Sequence, residues 1–432
     1  MDWIEILVLV LSFLILLGIG VPIAFSIGLA SIFTMSINMD VVPAFTTMAQ
    51  RMATGLDSFT LLAIPFFVLA GQMMNKGGIA QRLIDLARAM VGPLPGGLAY
   101  VNIIACALFG AVAGSSVAAA SAIGGFMHPQ MKKEGYDEAF SAAVNIASST
   151  NGLIIPPSNV MIVYSLASGG VSITALFLAG YVPGILLAFS LMLVSGFIAY
   201  RKKYPVGNSP SLIFLVKKFF AALPSLMLLV IVMGGIIGGI FTATEASAIA
   251  VLYTAILSMG LYQEIKIRDL PEILLQTVNT TAIVMLLIGT SIGMSWVMSY
   301  ENIPQDLSIA LLSLSNDKVV ILLIINLILL FVGTFMDITP AILIFTPIFL
   351  PIVQQVGVDP THFGMIMVVN LCIGICTPPV GSVLFVGCGV AQISIAKVIR
   401  PLLPMFLAMI VVLMLVTYIP ELSLWIPRLF GY

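Results

Sequence analysis

Ten long apolar runs, separated by short polar segments, dominate the chain. Each is long enough for a helix that crosses the roughly 30 Å hydrocarbon core of a bilayer. The runs lie near residues 3–20, 22–37, 57–75, 139–168, 174–200, 219–240, 242–262, 274–299, 363–390 and 401–419. Two further runs, 98–127 and 319–352, are interrupted near their middle by small or polar residues, so each is either a span or a re-entrant hairpin. The pattern predicts an all-α polytopic membrane protein.

The positions of Lys and Arg favour the two hairpins. With two hairpins and an external N-terminus, all but three of the 17 Lys and Arg residues fall in cytoplasmic loops; the exceptions are Arg51, Lys318 and Arg428. With two spans instead, the best division is eleven inside and six outside. Because cytoplasmic loops are enriched in Lys and Arg, we expect an inner hairpin, an outer hairpin and both termini on the outer side.

A weak internal repeat relates the two halves of the chain. Residues 154–173 align with residues 376–395 at an offset of 222, which pairs Pro156-Pro157 with Pro378-Pro379. Five spans and one hairpin per unit make the second copy inverted relative to the first, an architecture of secondary transporters. We expect a first inverted repeat at 1–218, with hairpin 98–127 and broken helix 139–168, and a second at 219–432, with hairpin 319–352 and broken helix 363–390.

The paired prolines predict helix breaks inside two spans. Proline removes a backbone donor and clashes with the preceding turn, and hydrocarbon offers the freed carbonyls no partner. In each repeat we expect hairpin tip and break to meet near mid-bilayer. The two expected pairs are "GAVAGSS" (110–116) with "NGLIIPPSN" (151–159), and "GTFMDITP" (333–340) with "GICTPPVGS" (374–382). Free carbonyls suit a cation such as Na⁺, and helix N-termini suit an anion.

Three acidic residues lie in or beside the apolar runs, where a carboxylate usually has a functional reason. Asp337 lies at the second hairpin tip with no basic residue near it in sequence, which favours a cation ligand over an ion pair. Glu245 begins an outer helix, where capping and ion contact are both open. Asp57, at a span entrance, is interpreted as an interfacial residue.

Neutral polar residues at the tips and breaks are further candidates. Ser115 and Ser116 lie at the Gly-rich first tip and are candidate ligands, although small residues also permit close helix contact. Asn151 and Asn159 flank the first break, where they contact an ion or substrate or else satisfy the freed backbone. Thr377 is placed to cap the helix expected after the second proline pair, a role compatible with ion binding.

Composition narrows the class of function. The chain is 60% hydrophobic and 8% charged, with a net charge of −1, so nucleic-acid binding has no support. No GxxxxGK[ST] motif for ATP and no HExxH motif or paired aspartates of an intramembrane protease occur. The four cysteines lie in apolar runs without metal-ligand spacing and are interpreted as packing residues.

The segment 77–92 is predicted to be an amphipathic helix with an inverted counterpart from Ile303.

The order of motifs "GSSVAAASAIG", "NGLIIPPSN", "GIFTATEASAIAVLY", "GTFMDITPAILIFTPI" and "GICTPPVGSVLF" resembles the large permease subunit of tripartite ATP-independent periplasmic (TRAP) transporters along essentially the whole chain. Within that family it is most similar to the sialic-acid branch. The resemblance implies an ion-transporter-like elevator fold in a bacterial inner membrane. It also implies Na⁺-driven import of an organic acid anion, with a small four-helix membrane subunit and a periplasmic substrate-binding protein as partners.

The resemblance also implies where ligands bind. Sodium ligands in the family come from the two hairpin tips and the two breaks. Here those positions correspond to Ser115, Asn151, Pro156, Asp337, Thr339, Thr377 and Gly381. The expected substrate contacts are Ser116, Ser158, Asn159 and Ser382. We expect sialic acid first and a C4-dicarboxylate next as substrate, Na⁺ as coupling ion, no resident cofactor and no enzymatic activity.

One alternative function stays open. An H⁺-coupled organic acid carrier, or a Na⁺/H⁺ exchanger, would work without a binding protein. Asp337 and Glu245 supply carboxylates that could carry protons in such a protein.

Overall fold

The computed structural model describes residues 3–205, 211–315, 317–378 and 381–432, and no β-strand occurs among them. The helices of the first half are α1 (Trp3–Gly18), α2 (Ile23–Asn38), α3 (Val41–Leu56), α4 (Ala63–Lys76), α5 (Ile79–Val91), α6 (Gly97–Ala113), α7 (Ser116–Lys133), α8 (Glu138–Ser149), α9 (Asn151–Ile154), α10 (Asn159–Ala167) and α11 (Ile173–Lys202). Those of the second half are α12 (Leu212–Ile237), α13 (Ala243–Ala255), α14 (Leu270–Tyr300), α15 (Ile303–Leu314), α16 (Lys318–Gly333), α17 (Ile338–Gln355), α18 (Pro360–Gly374), α19 (Ser382–Ala391), α20 (Ile395–Tyr418) and α21 (Glu421–Leu429). The all-α class is confirmed.

Seven helical segments of the described chain are long and apolar enough to cross a membrane. Six correspond to expected spans, and the seventh, Ile338–Gln355, is the second helix of the expected outer hairpin. The other four expected spans are α1 and α2, each of 16 residues, and the two broken helices.

Both interrupted runs are helix–turn–helix units. Helices α6 and α7 pack against each other and are separated only by Gly114 and Ser115, and α16 packs against α17 across residues 334–337. The proline pairs also break their helices: α9 ends at Ile154 and α10 begins at Asn159, whereas α18 ends at Gly374 and α19 begins at Ser382. Which face of the membrane each hairpin enters from stays a prediction.

Four helices, α3, α5, α15 and α21, lie outside the expected spans and hairpins. The amphipathic helix expected at 77–92 is α5, with Leu83 and Ile84 buried, although Met90, expected on the apolar face, is 58% exposed. Its expected counterpart from Ile303 is α15. Helix α3 was missed, because its polar residues shorten the apolar run below spanning length; it packs against α2 and α14.

The helices pack as two groups. Helices α1–α4 and α12–α14 contact one another and are called the frame here. Helices α6–α11 and α16–α21 also contact one another and are called the hairpin bundle. Helix α5 packs against both α6 and α12, and α15 against both α14 and α17, so these two helices link the groups. The groups also pack directly against each other, α14 against α17 and α4 against α6. An ion pair from Lys218 Nζ to Asp85 Oδ2, 2.7 Å long, ties α5 to α12.

Within the hairpin bundle, one helix of each hairpin packs against a helix from the broken span of the other half. Helix α7 of the first hairpin packs against α19 after the second break, and α17 of the second hairpin packs against α10 after the first break. The expected repeat boundary between residues 218 and 219 falls inside α12, so a division there would cut one continuous helix. The assignment of two inverted repeats stays a prediction.

Buried asparagines join each hairpin to its broken helix. Asn370 on α18 donates to the Asn326 side-chain oxygen on α16 at 2.7 Å, and Asn326 donates to Thr417 on α20 at 3.0 Å. In the first half, Ser148 on α8 donates to Asn102 on α6 at 3.0 Å. Buried amides cost free energy when they lose their partners, so these bonds hold each hairpin against its broken helix.

Glycines bring the same helices into backbone contact. A Cβ atom built on Gly152 would lie 2.2 Å from the Gly110 Cα, and one built on Gly374 would lie 2.6 Å from the Gly333 Cα. No side chain fits in either contact, because the obstructing atoms belong to the backbone. Each break is therefore held directly against the first helix of its own hairpin.

Substitution of Gly152 by Ala should destabilise the protein. The added Cβ would overlap the Gly110 backbone, and overpacking of this kind costs about 1–3 kcal/mol. The measurement is the midpoint of thermal unfolding in detergent, followed by size-exclusion chromatography after heating. Gly389→Ala is the control, because a Cβ at Gly389 meets nothing within 4 Å. Equal midpoints for the two variants would contradict the close contact.

Cysteine labelling should locate the two hairpins. We expect Lys133→Cys, at the end of α7, to react with a membrane-impermeant maleimide only from the cytoplasm, and Gln354→Cys, in the last turn of α17, only from outside. Both positions are exposed, whereas the four native cysteines are buried. Intact spheroplasts and inverted vesicles supply the two directions of access. Labelling of both positions from one side would rule out the arrangement of two opposed hairpins.

Candidate functional site

Both hairpin tips open onto one cavity of about 480 Å³ between the frame and the hairpin bundle. Its walls come from α4 and α14 of the frame and from α6, α7, α9, α10 and α17 of the hairpin bundle. Five predicted site residues line it: Ser115, Ser116, Asn159, Asp337 and Thr339. The two tips, separated by more than 200 residues in sequence, therefore share one site.

Ser115 and Asp337 occupy equivalent positions. Each is the residue that precedes the second helix of its hairpin, α7 or α17, and they are 222 residues apart, the offset of the sequence repeat. The Ser115 hydroxyl accepts a hydrogen bond from the Ala118 amide at 3.2 Å. Asp337 is exposed to the cavity, and Ser382 Oγ lies 3.5 Å from its Oδ1 atom. Ser382 thus joins the second break to the second tip.

The first tip requires a glycine. Gly114 has φ +59°, and a Cβ there would lie 2.7 Å from Asn159 Nδ2. A side chain at this position would face both backbone strain and a collision with Asn159. The Asn159 side-chain oxygen is buried and has no hydrogen-bond partner among the described residues, although Asn159 lines the cavity.

The rest of the first break lies deeper than the cavity. Asn151 is completely buried, and both polar atoms of its side chain lack partners in the described part of the chain. A buried amide without partners costs free energy unless an ion, water or ligand contacts it. Ser158 is also buried, and its hydroxyl donates to the Leu153 carbonyl at 2.6 Å. Pro156 is buried as well, and none of the three lines the cavity.

The second break differs from the expectation at Thr377. Thr377 does not cap the following helix, because α19 begins five residues later at Ser382, after Gly381. Its hydroxyl instead donates to the Ile373 carbonyl at 2.8 Å. Gly381 lies against the Ile375 carbonyl oxygen, 2.3 Å from where its Cβ would be. Pro379, expected to pair with Pro157, lies outside the described residues.

Glu245 has a structural role in this structure. It forms a capping box at the start of α13: the Thr242 amide donates to Glu245 Oε2 at 2.8 Å, and the Glu245 amide donates to the Thr242 hydroxyl at 3.3 Å. Of the two roles left open by the sequence, the geometry supports capping. Asp57 is exposed at the end of α3.

Four further polar residues line the cavity and were missed in the sequence. They are Gln72 and Asn75 on α4, Ser121 on α7 and Thr280 on α14. Gln72 and Asn75 are three residues apart and so lie on one face of α4. Polar side chains at helical spacing within an apolar run were the available signal.

The cavity has both polar and apolar lining residues and carries little charge. Asp337 is the one ionisable side chain among its described lining residues, and no Lys or Arg is present. Carboxylate, hydroxyl, amide and carbonyl oxygens are the ligands that hard cations prefer. The second tip offers Asp337, Thr339 and Ser382, whereas the first tip offers neutral oxygens. Both tips therefore suit a cation, the second with a full negative charge.

Comparisons with known proteins show the family and the fold of this chain. The family model described as "Tripartite ATP-independent periplasmic transporter, DctM component" matches residues 10–422. The solved structure of the YdaH transporter from Alcanivorax borkumensis aligns with a TM-score of 0.65 at 16% identity, covering 90% of this chain and 89% of that one. At that identity the structural match supports the fold alone.

Three curated relatives match nearly full length. The uncharacterized protein YgiK of Salmonella typhimurium is 59% identical over 99% of this chain and 98% of its own. The C4-dicarboxylate TRAP transporter large permease protein DctM of Rhodobacter capsulatus is 39% identical (95% and 96%), and the sialic acid TRAP transporter large permease protein SiaM of Vibrio cholerae is 38% identical (96% and 97%). The expected family is thus confirmed, and this chain belongs to the DctM component family of tripartite ATP-independent periplasmic transporters.

Proposed function

We propose that this chain is the permease subunit of a Na⁺-coupled importer of an organic acid anion. A periplasmic binding protein delivers the anion, and a small four-helix subunit completes the complex in a bacterial inner membrane. The observation that carries the proposal is the single cavity between the two hairpin tips and the frame. The family description, which names a tripartite and ATP-independent transporter, supports the partners and the absence of ATP drive.

An elevator movement fits the packing. The cavity lies at the boundary between two groups of helices, so displacement of the hairpin bundle against the frame would carry the contents of the cavity with the tips. Backbone contacts at Gly110 and Gly333 and the buried asparagines hold the hairpin bundle together during that movement. Helices α5 and α15 contact both groups and would accommodate the displacement.

Sodium coupling would supply the positive charge that import of an anion requires. An anion that moves into a negative interior is opposed by about 2.3 kcal/mol per charge per 100 mV, so import requires co-transported cations in excess of the substrate charge. Each hairpin tip offers one group of oxygen ligands: Asp337, Thr339 and Ser382 at the second, and Ser115 with the deeper Asn151 at the first. Two Na⁺ ions per monoanion would move one net positive charge inward.

The chemistry of the cavity favours a hydroxylated monocarboxylate over a dicarboxylate. Two carboxylates would enter a site that offers no Lys or Arg among its described lining residues. Sialic acid has one carboxylate and several hydroxyls, which suit the amide and hydroxyl groups of Gln72, Asn75 and Thr280. A volume of about 480 Å³ is ordinary for a small-molecule site. We therefore place sialic acid ahead of C4-dicarboxylates.

A proton-coupled carrier is the second candidate, because Asp337 is the one carboxylate among the described residues of the cavity and is exposed to it. Transport by proteoliposomes under separately imposed Na⁺ and pH gradients distinguishes the two functions. Uptake that follows the Na⁺ gradient at constant pH supports the main proposal. Uptake that follows only the pH gradient supports the alternative.

Substitution of Asp337 by Asn should abolish Na⁺-dependent uptake or reduce it more than tenfold. The change removes the one charge that the second tip offers a cation, whereas Ser115→Ala removes a neutral ligand and should reduce uptake less. The measurement is the initial uptake rate as a function of Na⁺ concentration in proteoliposomes. Asp57→Asn, at an exposed site outside the cavity, is the control for the loss of a carboxylate. Wild-type Na⁺ dependence in folded Asp337→Asn protein would return Asp337 to a structural role.

Substitution of Gln72 and Asn75 together by Leu should weaken substrate binding without weakening Na⁺ binding. Both side chains belong to the frame, whereas Asp337 belongs to the hairpin bundle. We expect the KM for sialic acid to rise at least about tenfold, with the concentration of Na⁺ for half-maximal rate changed less than twofold. An equal rise in both quantities would show that the two residues do not contact the substrate separately from the ion.

A further inference from the structure

A second recess lies on the outside of the hairpin bundle, between α11 and α20. Its volume is about 540 Å³, and none of its residues also lines the cavity at the tips. The recess, called the outer groove here, is lined by Leu193, Val194, Phe197, Ile198, Arg201, Lys202 and Pro404. Most of these side chains are apolar, and the two basic ones lie together at the end of α11.

The apolar part of the outer groove belongs to a lipid-facing surface. Residues Ile185, Phe189, Leu193 and Phe197 recur every fourth position of α11, so they form one face of the helix. Each is between 56% and 61% exposed. In a membrane protein, an exposed apolar face along a spanning helix contacts acyl chains. The outer groove is therefore a crease in that face, open to hydrocarbon.

The basic end of the outer groove carries positive charge that neighbouring carboxylates do not fully neutralise. Arg201 makes no ion pair among the described residues; its guanidinium carbon lies 5.3 Å from the centre of the Phe197 ring. Lys202 Nζ has one weak carboxylate contact, 4.0 Å from Asp137 Oδ1. Arg400 on α20 is one turn before Pro404 and hence on the same side of that helix. Positive charge therefore exceeds negative charge at this end.

We propose that the outer groove binds one anionic glycerophospholipid. The phosphate contacts Arg201 and Lys202, and an acyl chain lies along Leu193 and Phe197. Basic pockets between spanning helices on the cytoplasmic side recognise anionic headgroups, and the end of α11 is cytoplasmic in the expected orientation. A hydrated surface anion would not need the apolar floor, and a neutral lipid would not need the two cations. The combination selects an anionic lipid.

Native mass spectrometry of the full chain in detergent tests the proposal. Phosphatidylglycerol and phosphatidylcholine with identical acyl chains are titrated separately, and the first bound lipid is quantified. One basic residue near a membrane surface contributes about fivefold in affinity. We expect wild type to bind phosphatidylglycerol at least about tenfold more tightly, and Arg201→Gln with Lys202→Gln to bind it about 25-fold more weakly while phosphatidylcholine binding is unchanged.

Two further variants separate charge from shape. Lys133→Gln with Arg268→Gln removes the same charge from exposed positions outside the outer groove and should leave phosphatidylglycerol binding within twofold of wild type. Leu193→Trp fills the apolar part, keeps both charges and should weaken the first phosphatidylglycerol at least about fivefold. Size-exclusion chromatography confirms that each variant is folded. Equal wild-type affinity for both lipids, or equal losses in the two double variants, would overturn the proposal.

Discussion

The structure depends on one constraint: a backbone group freed inside a bilayer has no water to bind, so every break in a helix must be covered by protein or by a ligand. This chain contains two hairpin tips and two proline-induced breaks. It covers them with each other, through glycine contacts and through Ser158 and Thr377, which donate to the carbonyls of Leu153 and Ile373. Of the two tips and two breaks, both tips and the first break also contribute residues to the cavity.

The partition into a frame and a hairpin bundle follows from the same constraint. Continuous apolar helices satisfy their own backbones and form the core of the frame. The interrupted elements depend on one another and lie together in the hairpin bundle, where Asn326, Asn370 and the glycine pairs join them. The continuous helices α11 and α20 pack beside them. The cavity lies on the boundary between the two groups, along which the proposed elevator movement would take place.

The two halves use equivalent positions for different chemistry. Ser115 and Asp337 both precede the second helix of a hairpin, yet one is a neutral hydroxyl that caps its helix and the other a carboxylate exposed to the cavity. Two cation sites of unequal strength would follow from this difference. The outer groove is lined by the hairpin bundle alone, so under the proposed elevator movement a bound lipid would travel with that bundle.

The sequence alone determined most of the helices, although not α3, and it determined the two interrupted runs, the breaks at the prolines and the family, because apolar periodicity, proline and glycine act locally. It also identified five residues of the cavity, since polar residues at tips in an apolar chain have few other roles. Only the tertiary structure showed that both tips share one cavity, that Gln72, Asn75 and Thr280 also line it, and that the Thr377 hydroxyl bonds to the Ile373 carbonyl. These contacts depend on how helices that are distant in sequence pack together. The local pattern of residues along one chain does not specify which helices meet, so it does not specify which side chains share a cavity.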